Sequence, residues 1–250
     1  MSDQEPPAGT RPEGTQGETE AARAVRAMFS AIAPRYDLLN RLLSFSFDQS
    51  WRRRTARLLA PRLAAPASRA LDLCCGTADL ALALSHVSAG SVAGVDFAHP
   101  MLVHAAAKVA AEQRKVLLAE ADALRLPFAD GCFDVVAAAF GFRNLANYQQ
   151  GLREIHRVLK PGGEVGILEF TLPEEGFFAA LYRFYFRRLL PAIGRVVSGV
   201  RGPYSYLPAS VEKFPGCDEF NRWLEAVGFG SVTYKRWTGG AVALHRGCKV

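Results

Sequence analysis

Hydrophobic positions along this chain fall into short blocks that alternate between an extended and a helical period. Residues 69–73 (RALDL) are a short, mainly apolar run carrying Asp72, and the CCGTA turn after it leads into the helical stretch ADLALALSHV. Residues 91–97 (SVAGVDF) predict a second strand, followed by a helix over about 100–113. Residues 116–120 predict a third strand and 133–140 (FDVVAAAF) a fourth, the latter almost wholly apolar, as a strand covered on both faces must be. A helix over 149–159 stops at Pro161-Gly162-Gly163, and a fifth strand follows over 164–170. Strands and helices alternating at this spacing predict an α/β fold with a doubly wound, mostly parallel sheet. Near the C-terminus, 231–237 and 241–249 flank Thr238-Gly239-Gly240 and predict an antiparallel hairpin.

Composition changes this picture at one end. The first 22 residues contain no Leu, Ile, Val or Phe and are expected to be a disordered tail, because they cannot bury enough surface to offset ordering. Residues 23–250 form the expected domain, with 23–65 a helical lid and about 172–215 an insertion facing substrate or membrane. The tail carries a net charge of −4, which leaves +10 on the remainder of a chain whose total is +6. A basic body fits an anionic partner such as a membrane surface, a nucleic acid or an acidic substrate. The tail is too acidic for a transit peptide and lacks the apolar run of a secretory signal. No stretch approaches the roughly 18 uninterrupted apolar residues of a membrane span. Five scattered cysteines show neither zinc nor disulfide spacing, so buried thiols and a reduced, cytoplasmic setting are expected.

Candidate chemistry gathers at the strand ends. After the first strand, Gly76 permits close backbone approach and Thr77 offers a hydroxyl at the start of a helix, where free backbone N–H groups lie. The glycine-rich loop that cradles a pyrophosphate is absent, which argues against NAD and FAD. A cofactor without phosphates, such as S-adenosylmethionine, does not need it. Asp96 ends the second strand, where an acidic residue accepts hydrogen bonds from ribose hydroxyls in doubly wound folds. Asp122 and Ala123 follow the third strand, within reach of an adenine amino group and ring nitrogen. Each Asp taken singly is more often a turn or cap residue; three polar devices at three consecutive strand ends are a site.

The segments LDLCCGTADLA, VAGVDFAHPML, EADALRLPF, FDVVAAAFGFRN and RVLKPGGEVGILEFT resemble the ubiquinone/menaquinone biosynthesis C-methyltransferase family. Two signature blocks carry the likeness: Tyr36-Asp37-x-x-Asn40-x-x-Leu43-Ser44 followed by Trp51, and the stretch from Arg157 through Glu169 to Thr171. The C-terminal PYSYLPASVEKFP and GGAVALHRGCK match as well. The resemblance implies a class I methyltransferase fold with a seven-stranded sheet, S-adenosylmethionine as methyl donor, and contacts to it from Thr77, Asp96, Asp122 and Ala123. Ala78 stands where the family has Gly, placing a methyl group near the cofactor's amino-acid portion, and Ala139 stands where many relatives have Ser. Asp48 replaces His, Leu39 replaces Met and Thr171 replaces Ser. Loss of one side-chain hydrogen bond at Ala139 costs about 1 kcal/mol.

The implied reaction methylates a ring carbon of a reduced, prenylated quinol, demethylmenaquinol or a ubiquinone precursor, in a dry cavity that aligns carbon, methyl and sulfur. Arg143, just beyond the fourth strand, is expected to face the cleft and to stabilise a phenolate or hold a water. A loop salt bridge is the competing account. Tyr36 and Asp37 are weaker candidates for the same acceptor-side role and are expected rather to be structural anchors, and His99, His104 and His156 to be solvent-exposed. Residues 176–194 combine aromatic and aliphatic side chains with Arg183 and Arg187, which suits a helix in a bilayer interface or a lid packed on the core. Peripheral attachment to the inner face of the membrane follows from the first of these. Homo-oligomerisation and partners in quinone biosynthesis stay open. A methyltransferase for another phenolic or sterol acceptor and a non-catalytic scaffold are the alternatives. No RNA-binding module is visible, so nucleic acid is not an expected partner.

Overall fold

A computed structural model describes residues 9–173 and 203–250. Three helices, α1 (Gly17–Ile32), α2 (Tyr36–Ser44) and α3 (Phe47–Leu59), precede the first strand. The βα alternation then runs β1 (Arg69–Leu73), α4 (Asp79–Ser85), β2 (Ser91–Asp96), α5 (His99–Ala111), β3 (Val116–Glu120), β4 (Phe133–Ala139), α6 (Tyr148–Val158) and β5 (Leu159–Phe170). Helices α7 (Pro203–Lys213) and α8 (Cys217–Val227) lead to β6 (Phe229–Trp237) and β7 (Val242–Lys249).

The strands form one seven-stranded sheet in the order β3-β2-β1-β4-β5-β7-β6. Strands β1 to β5 are parallel, and β7 runs antiparallel between β5 and β6. The expected fold class and terminal hairpin are therefore present, most strand ends falling within a residue or two of the sequence reading. The exception is β5, which begins at Leu159: helix α6 ends one residue earlier, and Leu159 is already extended and pairs with Phe133. A register shift then absorbs Pro161-Gly162-Gly163 before Glu164 meets Val135.

Both sheet faces are covered, which is why β4 is apolar along its length. Tyr148, Leu152 and Ile155 of α6 and Phe220 and Leu224 of α8 fill one face. Leu59 of α3, Leu80 and Leu84 of α4 and Ala105 of α5 fill the other. The strand order reverses between the parallel strands β1 and β4, and the crevice at such a switch point is where open α/β sheets bind ligands.

The N-terminus departs from expectation. Residues 9–22, read as disordered, are held against the domain: Thr10 N–H donates to Leu145 O at 2.8 Å and the Arg11 guanidinium to Ala146 O at 2.7 Å. Helix α1 starts at Gly17 and buries Ala21 completely. Backbone proximity rather than large side chains does the packing. A Cβ on Gly9 would lie 2.1 Å from the carbonyl oxygen of Ala146, so only glycine fits there. Residues 1–8 and the stretch 176–194 lie outside the described residues. Among the described residues no helix is long and apolar enough to cross a membrane.

Candidate active site

The cleft opens at the carboxyl ends of β1, β2, β3 and β4. Past β1 the chain turns sharply through left-handed Cys74 (φ 56°), Gly76 (φ 54°) and Ala78 (φ 68°), which places Gly76 at the cleft wall. Asp96 at the tip of β2 is almost fully buried, its Oδ2 accepting from Gly76 N–H at 2.8 Å and its Oδ1 from Ala98 N–H at 2.9 Å. Burial pushes its carboxyl above the usual range, and the N–H groups of Ala98 and Gly76 pull it back. A carboxylate has about four lone-pair sites, so each oxygen keeps one for a ligand hydroxyl. Ala121 N–H donates to Asp96 O at 3.0 Å and so joins the tips of β2 and β3. Asp122 is exposed at the rim, its Oδ1 accepting from Leu124 N–H at 2.9 Å, and Ala123 lines the wall beside it.

The empty space, open mouth included, is about 740 Å³. Gly76, Asp96, Asp122 and Ala123, named from sequence, thus come together in one cleft. The opposite wall, where Ala22 and Phe29 of α1, Tyr36 of α2 and Asn144 face the same space, was not expected apart from Tyr36, a weaker candidate. Tyr36, expected as an anchor, is a wall residue. Burial raises its phenol above the ordinary value, partly countered by the charges of Arg52 and Arg143, so it stays protonated at neutral pH.

Two expected site residues sit elsewhere. Thr77 is buried behind the wall: its hydroxyl donates to Asp37 Oδ1 at 2.6 Å and accepts from Lys108 Nζ at 3.1 Å. Lys108 also pairs with Asp37 at 2.5 Å and Asp79 at 2.7 Å, so this cluster ties α2 to α4 and α5. Arg143 does not line the cleft. Its guanidinium pairs with Glu169 at 3.0 Å, donates to Ser210 Oγ at 3.3 Å and to Phe140 O, and lies over the Phe170 ring. Glu169 is completely buried. The loop salt bridge is the arrangement found, for a geometric reason: residues 142–144 make a single 3₁₀ turn, in which neighbours point about 120° apart. Asn144 takes the cleft and Arg143 the interior. Tyr206 of α7 donates to Asn144 Oδ1 at 3.0 Å, and its hydroxyl lies 2.9 Å from Thr10 Oγ1.

The family departures resolve differently. Ala78 is fully buried in the apolar cluster around Leu80 and Leu84, so its methyl group does not enter the cleft. Ala139 does line it, without the hydroxyl. Asp48 forms a buried pair with Arg52 at 2.6 Å and accepts from the Ser44 hydroxyl at 2.7 Å. His99 is exposed and 3.0 Å from Glu120, whereas His156 packs edge-on against Phe229. Cys75 and Cys217 are buried thiols; Cys74, Cys132 and Cys248 are partly so. Among the described residues no cluster of His, Cys, Asp and Glu could hold a metal ion.

Nucleoside-binding folds with this kind of sheet divide on how they treat phosphate, and here no glycine-rich cradle for one exists. The architecture is that of the class I S-adenosylmethionine-dependent methyltransferases. Solved structures agree on the fold: a SAM-dependent methyltransferase from Thermotoga maritima aligns with a TM-score of 0.60 at 17% identity, covering 90% of this chain and 100% of that one. Another from Aquifex aeolicus gives 0.56 at 20% identity over 78% and 89%. Residues 16–249 match the ubiE/COQ5 methyltransferase family, and the chain belongs to it. It is 52% identical over 88% of its length to a demethylmenaquinone methyltransferase of Thermus thermophilus, covering 99% of that protein. It is 45% identical over 92% to one of Deinococcus radiodurans, covering 94%. A ubiquinone/menaquinone biosynthesis C-methyltransferase of Geotalea daltonii is 42% identical over 92% of this chain and 98% of its own length.

Proposed function

We propose that this protein transfers a methyl group from S-adenosylmethionine to a ring carbon of reduced demethylmenaquinol, in menaquinone biosynthesis. The observation that carries the reading is one cleft with carboxylates at its strand-end side and an apolar, aromatic wall opposite, in a chain so similar to demethylmenaquinone methyltransferases. S-adenosylmethionine supplies a methyl group activated by a positively charged sulfur. Asp96 holds the ribose hydroxyls with the lone pairs its backbone donors leave, while Asp122 and the Ala123 backbone take the adenine edge. Gly76 lets the backbone approach closely. Thr77 acts at one remove, fixing the lid through Asp37.

On the acceptor side the chain's task is to exclude water and orient the ring. Tyr36, held protonated, donates a hydrogen bond towards the quinol oxygen. Arg143 is a positioning residue: paired with Glu169, it sets the Phe140–Asn144 loop and with it the direction of Asn144. The quinol's tail is apolar, so the protein works at the bilayer surface. Incubation with S-adenosylmethionine and reduced demethylmenaquinone, and separately with the reduced ubiquinone precursor, is the direct test. Mass spectrometry is expected to show a gain of one methylene on the menaquinone precursor; no gain on either quinol overturns the reading.

A further inference from the structure

The outer face of the lid is apolar where a solvated helix should be polar. On α2, Leu38 is 61% and Leu42 46% exposed, one helical turn apart, and Phe47 at the start of α3 is 51% exposed. Phe45 and Ser46, both left-handed, make the tight turn that brings these residues to one corner, and Phe45 is itself 73% exposed. Half of the large hydrophobic residues exposed in the described part of the chain fall within this one short segment. Scattered exposed leucines need no explanation, but a cluster with a polar rim marks a binding surface.

The charges of the same two helices are sorted. Their only carboxylates, Asp37 and Asp48, are taken up by Lys108 and Arg52. The exposed charges are all cations: Arg41, Arg53, Arg54 and Arg57. Tyr36, at the first turn of α2, lines the cleft, so this corner and the acceptor side of the site belong to one helix.

We infer that the α2–α3 corner is a docking surface for an anionic phospholipid bilayer, its leucines and Phe47 entering the interface while the arginines meet lipid phosphates. The inference rests on the reading that the acceptor is lipid-soluble, because it sets the cleft mouth against the phase in which such a quinol dissolves. A protein partner would need carboxylates facing the same arginines; a bilayer supplies both the negative charge and the apolar depth.

The test uses the full chain with vesicles of phosphatidylcholine, alone or with one-third phosphatidylglycerol. The parent is expected to float with the anionic vesicles and much less with the neutral ones. Arg53→Gln with Arg57→Gln lowers anionic-vesicle affinity about thirtyfold, from roughly a factor of five per cation. Leu38→Glu with Leu42→Glu lowers it by about tenfold or more. Both double variants keep the parent's turnover of a demethylated quinol with a short, water-soluble tail, which also shows that they fold. Unchanged vesicle affinity in both variants, or a parent that binds no vesicles, overturns the proposal. So does a parent dimer that Leu38→Glu with Leu42→Glu converts to monomer without altering vesicle binding. Absence of methyl transfer to any quinol sinks the functional reading instead, and flotation is scored without it.

Discussion

The two walls of the cleft are built by different means. On the strand side, backbone donors hold the acidic side chains: Gly76 and Ala98 hold Asp96, and Ala81 N–H donates to Asp72 Oδ2 at 2.7 Å. On the lid side, side chains from distant elements hold one another, as in Lys108 with Asp37, Arg143 with Glu169, and Tyr206 with Asn144. A backbone N–H in a packed βα unit has no rotamer to lose, whereas each long side chain gives up as much as about 2 kcal/mol of freedom when it is pinned. The strand wall is therefore preorganised, which suits the nucleoside that the proposed reaction brings to it in every turnover. The lid wall depends on links that can be broken singly, which suits the side where an apolar-tailed acceptor enters.

The largest expected effect lies beneath the strand wall. Asp72 is buried with Oδ1 unpartnered, and burial, with smaller contributions from Asp96 and Asp79, raises its carboxyl from an ordinary 3.8 to about 8 against the pull of Ala81 N–H and Arg52. The folded state therefore holds a proton that the unfolded chain releases near pH 4. The stability this proton confers is complete below about pH 4, declines as pH rises, and is gone above about pH 8. The swing is on the order of 5 kcal/mol. Asp72→Asn keeps an acceptor for Ala81 and removes the titration, so urea unfolding from pH 5 to pH 9 should be flatter in the variant. Parallel pH curves for the two proteins would mean that Asp72 is ionised in the fold.

Next comes the lid side. Glu169→Gln leaves the Arg143 guanidinium buried without its counter-charge and should cost about 3–5 kcal/mol of unfolding free energy. The Glu169→Gln, Arg143→Met double variant should recover most of that, because a buried pair replaced by apolar or neutral groups is close to neutral. If the double variant is as unstable as the single one, the charges are not what holds this loop.

The same division explains what could be read from the sequence. Asp96 and Asp122 were legible because periodicity locates strand tips and each finds a backbone partner two residues on, at Ala98 and Leu124. The partners on the lid side lie far off: Thr77 meets Asp37 across 40 residues, and Thr10 meets Tyr206 across 196. No periodicity encodes such pairs. Arg143 was assigned to the cleft because it follows β4, but a loop's position in the chain does not say which of two neighbours in a 3₁₀ turn points inward. Residues 9–22 looked disordered because composition counts large apolar side chains, while this segment docks through glycine, alanine and backbone carbonyls.

A test confined to the strand wall is Asp96→Asn. The amide offers one acceptor oxygen where the carboxylate offered two, so either Gly76 or Ala98 N–H faces a donor and one ribose hydroxyl loses its partner. The bond within the protein is lost with or without ligand, so the one charge-assisted hydrogen bond lost to the ribose, at about 2 kcal/mol, corresponds to a fall in S-adenosylmethionine affinity of about thirtyfold. Calorimetric titration measures this directly. A fall below tenfold would mean that the nucleoside is not gripped at this strand tip.

The smallest effect is expected at Ala78, where family likeness alone suggests a steric penalty on cofactor binding. Its methyl group is buried among Leu80, Leu84 and their neighbours, behind the wall rather than in it. The left-handed backbone at φ 68° costs an alanine about 1 kcal/mol. Ala78→Gly would remove that strain but forfeit about 0.8 kcal/mol of methyl burial and add about 0.4–1 kcal/mol of unfolded-chain entropy. These terms nearly cancel, so stability should change by less than about 1 kcal/mol and S-adenosylmethionine affinity by no more than about twofold. A tenfold gain in affinity with glycine would put the methyl group in contact with the ligand. The turn after β1 would then have to lie differently, and the strand wall could not be the fixed half of the cleft.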